Sequence, residues 1–177
     1  MKFLPALFLL LICACSSHVS IRKDYTVCKD ATLAVADVFI TESQKTEAIP
    51  QIGRAFANAL AGHMLESGLN IVEREKLARL LSEMKLNQTG LIESSKISEI
   101  GHLVNADYIL TGVGEVRFSG QSTFLANTTM RLVEVSTGQV VLVASWDGPS
   151  HSPVAVANLL GPEMGKSIAA RVVPCKK

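Results

Sequence analysis

The spacing of apolar positions changes period twice along the chain, and each change marks a different kind of element. Residues 31–40, ATLAVADVFI, are dense in β-branched and apolar side chains and predict a buried strand. From Ala48 to Ser67, Ile52, Phe56, Ala59, Leu60 and Met64 recur at steps of three and four, which predicts a helix with one buried face that Gly68 can close. Residues 69–73 form a short strand-like run. Leu77, Leu80, Leu81 and Met84 then define a second amphipathic helix from Arg74 to Lys85. A third, capped by Ser94 or Ser95, turns Ile97, Ile100 and Val104 inward. Beyond it the period becomes two. Residues 106–118, 123–135 and 139–146 are β-type runs with short links, and together they predict an antiparallel meander. Val154 to Val173 closes the chain as a helix interrupted or restarted at Pro162. The expected order is β-α-β-α-α-β-β-β-α, an α/β fold with helices packed on a mixed sheet.

The N-terminus has its own pattern. Lys2, an apolar run from Phe3 to Ile12 and then small residues give the layout of a secretory signal, and the run is too short to span a bilayer as a helix. Its end, Ile12-Cys13-Ala14-Cys15, resembles a bacterial lipobox, in which the thiol of Cys15 accepts a diacylglycerol and becomes the first mature residue. The resemblance implies a signal over residues 1–14, membrane attachment through lipid and, with Ser16 following the cysteine, sorting to the outer membrane on its periplasmic face. Residues 15–30 lack periodicity and are read as the lipidated cysteine and a short tether of at most about 50 Å, with the folded domain over 31–177. Once Cys13 leaves and Cys15 is acylated, Cys28 and Cys175 remain in an oxidising compartment. A bridge between them would tie the two ends of the domain; two free thiols, or pairing with another chain, are the alternatives.

Composition narrows the chemistry. Seventeen Lys and Arg against 16 Asp and Glu leave no basic excess to hold phosphates, and 5% aromatics leave few stacking surfaces, so nucleic acid is not an expected partner. Catalysis finds no support. His18, His63, His102 and His151 are far apart without metal-ligand spacing, and no GxSxG elbow occurs. Residues 161–167, GPEMGKS, imitate the end of a phosphate loop. They have one residue too few between the glycines, Pro162 where an amide should face phosphate, and no preceding strand, so they are read as a helix restart. No catalytic, cofactor or metal residues are expected. Structural roles are expected for Glu73 and Arg74 at a helix start, for Gly112 and Gly114 in a strand, and for Trp146 in the core.

Three runs carry a family resemblance: LNIVEREKLARLLSEMKL, ADYILTGVGEV and MRLVEVSTGQVVLVASW. In this order they resemble the CsgG family of curli-secretion lipoproteins, over residues 31–173. Asn105-Ala106-Asp107-Tyr108 and Thr137-Gly138-Gln139 also resemble a strand and a turn of LpoB-type activators of penicillin-binding proteins. Either resemblance implies an anticodon-binding-domain-like periplasmic fold on a lipid anchor, without enzymatic activity. The first implies an accessory role in assembly or secretion of a surface structure, with an envelope protein as client and self-association within reach; the alternative implies a peptidoglycan synthase as partner. The link at Ser119 to Ser122 is too short to cross a bilayer, so no pore is expected from this chain alone.

Overall fold

The computed structural model describes residues 18–23, 25–42, 50–83, 94–119, 122–151 and 156–174. A seven-stranded mixed sheet forms its centre. The strands are β1 (His18–Ile21), β3 (Thr32–Val35), β4 (Phe39–Glu42), β5 (Asn70–Ile71), β6 (Tyr108–Ser119), β7 (Ser122–Glu134) and β8 (Val140–His151), while β2 (Val27–Cys28) pairs separately with β9 (Val172–Val173). The sheet order is β1-β8-β7-β6-β3-β5, with β4 adding to β6 farther along that strand. β6, β7 and β8 are the expected antiparallel meander; β3, β4 and β5 join in parallel. The helices are α1 (Pro50–Glu66), α2 (Arg74–Glu83), α3 (Ser94–Val104) and α4 (Gly161–Ala169), the last preceded by a π-helical turn, Val156–Leu160.

Strand alternation sends side chains to two faces. Val35, Leu110, Leu132, Leu142, Ala144 and Trp146 join the larger core with Phe56, Leu60 and Met64 of α1 and Met164 and Ile168 of α4. On the opposite face Ala34, Ile109 and Val133 pack with Leu77 and Leu81 of α2 and Ile97, Ile100 and Val104 of α3. The leucine spacing thus lands where periodicity placed it, although Met84 lies outside the described residues.

Residues 31–40 make two strands rather than one. After Val35 the chain leaves β3 at Ala36 to Val38 and re-enters as β4, and the break accommodates Gly53, whose Cα faces the Val38 carbonyl so closely that an added Cβ would sit 1.7 Å from its oxygen. The larger departure concerns the segment read as a tether. Residues 18–21 are an edge strand paired antiparallel with β8, His18 opposite Ser145 and Ile21 opposite Leu142, and Val27–Cys28 is another strand. The reason is a period of two within 18–28: Val19 and Val27 are buried, and Ile21 and Tyr25 pack against the larger core. The last helix is also shorter than expected, and its final residues turn into β9.

Candidate functional site

The two sequence motifs of the LpoB type, about thirty residues apart, meet at one end of the sheet. Asn105 closes α3 in the left-handed region (φ 57°), which asparagine tolerates, and the Ala106 amide returns to the Gly101 carbonyl at 2.9 Å. Asp107 then fastens two strands: its carboxylate accepts the Thr32 amide at 2.7 Å, its own amide donates to the Thr32 carbonyl at 2.8 Å, and its carbonyl accepts the Val135 amide at 2.9 Å. Tyr108 begins β6 directly opposite Glu134, the last residue of β7. After Glu134 the chain turns through Ser136-Thr137-Gly138, with Gly138 at φ 68° and its amide bonded to the Glu134 carbonyl at 2.8 Å.

Tyr25, from the segment expected to be a tether, joins these motifs. Its hydroxyl donates to Glu134 Oε1 and lies 3.0 Å from the Tyr108 hydroxyl, and the two rings meet edge to face with centroids 6.5 Å apart. The other Glu134 oxygen accepts the Thr137 hydroxyl at 2.6 Å. Arg22 donates to the Gln139 side chain, so the strap over the turn is held at both of its ends. The Thr137 hydroxyl, then that of Tyr25, hold the Glu134 carboxyl below the usual carboxylate range. Burial, followed by the bonds to Glu134 and Tyr108, pushes the Tyr25 phenol far above its ordinary value, so it remains a donor at any physiological pH. Beside this network opens a groove of about 570 Å³ lined by Asp30, Thr32, His102, Asp107, Tyr108 and Glu134 among others, with no lysine or arginine in its described lining. The arrangement can present carboxylates and a histidine to a partner.

A second polar cluster sits where β3 leaves the sheet. Asp37 pairs with Arg74 of α2 and, at 3.5 Å, with Arg54 of α1. Arg74 is largely buried, and its Nε and Nη1 have no hydrogen-bond partner among the described residues; burial depresses its pKa while Asp37 works in the opposite direction. Its role is to pin α1 and α2 to the same carboxylate, as expected for a helix-start residue with a structural ion pair.

The other residues singled out by sequence are scattered. Cys15 and Cys175 lie outside the described residues; Cys28 is disulfide-bonded, on the strand that runs beside β9. His63 pairs with Glu66 at 2.9 Å, His18 bonds Ser20, and among the described residues no three His, Cys, Asp or Glu side chains could hold a metal. Trp146 is core, 2% exposed. Gly112 lets β6 approach β7, since a Cβ there would meet the Thr129 carbonyl at 2.5 Å, and the bulge falls next to Gly114, at Glu115/Val116. In GPEMGKS the glycines face α1: a Cβ on Gly161 would lie 2.9 Å from that of Ala59, and one on Gly165 2.9 Å from the Leu60 carbonyl oxygen. The motif is a helix-packing seam, and Lys166 is exposed.

The family model of the peptidoglycan-synthase activator LpoB matches residues 44–148, more than half of the chain, from before α1 into β8. The chain belongs to this family. No curated protein matches it by sequence. Among solved structures, the PelC dodecamer subunit from Paraburkholderia phytofirmans is similar at a TM-score of 0.54 and 15% identity, covering 88% of this chain and 99% of that one. E. coli LpoB is similar at 0.55 and 17% identity over 71% of this chain and 59% of its own. Lipoprotein GNA1162 from Neisseria meningitidis is similar at 0.51 and 11%, over 79% and 99%. At these identities the likenesses establish the shared α/β fold. None of these matches is to a CsgG protein, so the family assignment rests on the LpoB model match and the curli-secretion resemblance has no support among them.

Proposed function

We propose that this LpoB-family chain is a lipid-anchored envelope protein, on the periplasmic face of the outer membrane, that binds and activates a peptidoglycan synthase without chemistry of its own. The observation that carries the reading is the family match across α1 to β8, which contains both motifs that converge on the Tyr25–Glu134 network. Cys15 is the lipidation site, and Cys28 with Cys175 forms the bridge that ties β2 to the end of the chain. The groove beside Asp30, His102 and Asp107 is the partner's contact, because it is the open polar concavity at which those motifs meet.

The test is binding of the purified mature domain to the periplasmic portion of the host's peptidoglycan synthases, with glycan polymerisation followed in parallel. Saturable binding and a faster rate are expected, and Asp30→Arg should weaken both about tenfold while leaving the melting temperature in place. Neither binding nor acceleration with any of the host's synthases would overturn the reading. A second reading, accessory work in building a surface structure at the outer membrane, is favoured by one observation: β1 starts at His18, which leaves almost no tether. A self-associated state belongs with that reading, and light scattering of the detergent-solubilised lipoprotein checks it.

A further inference from the structure

The path of β1 fixes how the domain can sit on its membrane. β1 is antiparallel to β8, which runs in the same direction as β6, so the N-terminal end of β1 points toward the end where β6 and β7 join. From Cys15 to His18 is three residue steps, a reach of about 11 Å when fully extended. His18 stands opposite Ser145, Ser145 opposite Thr129, and Thr129 opposite Val113. From that level β6 continues six residues to Ser119, about 20 Å at the rise of an antiparallel strand. The hairpin end therefore extends roughly 9 Å farther than an upright tether can carry the lipidated cysteine away from it. That overhang is comparable with the polar layer on one side of a bilayer, about 5–8 Å. The sequence suits such a position, for residues 118–130 carry no charged side chain. In the other direction, Tyr108 and Glu134 lie five residues from the His18 level along β6 and β7, about 17 Å away from the anchor.

We infer that the β6–β7 hairpin end rests in the lipid headgroup layer and that the Tyr25–Glu134 groove faces away from the membrane, held there by β1. The partner surface is this lipid interface; the hairpin touches it and does not span it. The inference rests on the proposed acylation of Cys15. It also deepens the functional reading: with β1 docked, the domain reaches only its own length from the outer membrane, so a synthase embedded in the inner membrane must extend its own periplasmic part to the groove.

Environment-sensitive fluorophores at Ser122→Cys and, in a second variant, Ser136→Cys test the orientation. The acylated protein is reconstituted into phosphatidylethanolamine–phosphatidylglycerol vesicles with and without lipids carrying a quencher near the headgroup, and is labelled without reductant so that the native cysteines stay paired. The label at 122 should shift to the blue and lose at least half its emission to the quencher, while the label at 136 keeps its aqueous spectrum. An acylated chain whose 122 label stays in water, or whose 136 label is quenched, overturns the orientation and leaves the anchor standing. Mass spectrometry of the same preparation separates the other failure: a mature chain without acyl groups overturns the anchor and the inference with it.

Discussion

The two faces of the sheet are covered by helices that touch it in different ways. On one face α1 meets the Val38 carbonyl through Gly53 and α4 packs on α1 through Gly161 and Gly165, and the atoms met by an added Cβ are largely backbone: the Val38 carbonyl at Gly53, Phe56 and Leu60 backbone atoms at Gly161, the Leu60 carbonyl at Gly165. On the other face α2 and α3 reach the strands through long side chains, Leu77, Leu81, Ile97, Ile100 and Val104, and at Gly101 of α3 an added Cβ would meet the Val135 side chain rather than backbone. Backbone cannot rotate away, whereas a side-chain contact can shrink and relax. The first face should therefore be intolerant of added volume, and the second should respond to lost volume in proportion to the cavity left.

Gly53→Val should give the largest effect. Its branched side chain has nowhere to go except into the Val38 carbonyl, and a loss of about 4 kcal/mol or more would consume much of the 5–15 kcal/mol available to a domain. The expected outcome is a chain with no cooperative urea transition; a melting curve like that of the parent would show that β4 can move off α1. Ile100→Ala on the other face should cost about 3 kcal/mol and keep a two-state transition at a lower urea midpoint with an unchanged slope. Gly165→Ala should come third, at about 1–2 kcal/mol, because alanine regains about 1 kcal/mol of helix propensity while pushing α4 from the Leu60 carbonyl. If Gly165→Ala is stabilising, the seam is looser than its distances imply and the contrast between the faces fails.

This contrast also explains what could be read from sequence. Apolar spacing, leucines on α2 and Ile97, Ile100 and Val104 on α3, reports a side-chain seam directly, so those helices were legible, as was the meander through its period of two. The α1–α4 seam is made by residues that lack side chains, and in GPEMGKS the same glycines imitate a phosphate loop because both uses need a bare backbone. The strands at 18–21 and 27–28 were missed for another reason. Their alternation spans few positions, and each exists by pairing with a strand more than a hundred residues away, which local pattern cannot show. The same applies to the candidate site. Asn105 to Tyr108 and Thr137 to Gln139 were visible as motifs, but their meeting depends on the register that sets Tyr108 opposite Glu134, and Tyr25 enters only once β1 is placed.

The smallest effect is expected at the end of the sheet where the two faces meet, and it is a pH dependence. Glu134 is followed by Val135, which packs with α3, while its carboxylate holds Tyr25, which packs with the core under α1. The Thr137 and Tyr25 hydroxyls favour the charged carboxylate and hold its folded pKa below the value of about 4.3 expected for an unfolded glutamate. Their contribution is therefore complete above pH 4.3 and is lost as the pH falls through the lower folded value, since the unfolded chain takes up the proton first. Glu134→Gln keeps the shape and removes the titration. Parent and variant should differ most near neutral pH, and the gap should narrow as the pH is lowered below about 4. Tyr25→Phe should shrink the gap and raise the pH at which the narrowing is complete, because removing one of the two donors brings the folded pKa closer to the unfolded one. Because Glu134 is partly open to solvent, the gap should also shrink in high salt, whereas the cost of Ile100→Ala should be the same across the pH range. A parent–variant gap that stays constant from pH 7 to pH 3 would mean that the hydroxyls do not favour the carboxylate, and that the strap from Arg22 to Tyr25 is held by packing of the Tyr25 and Tyr108 rings instead.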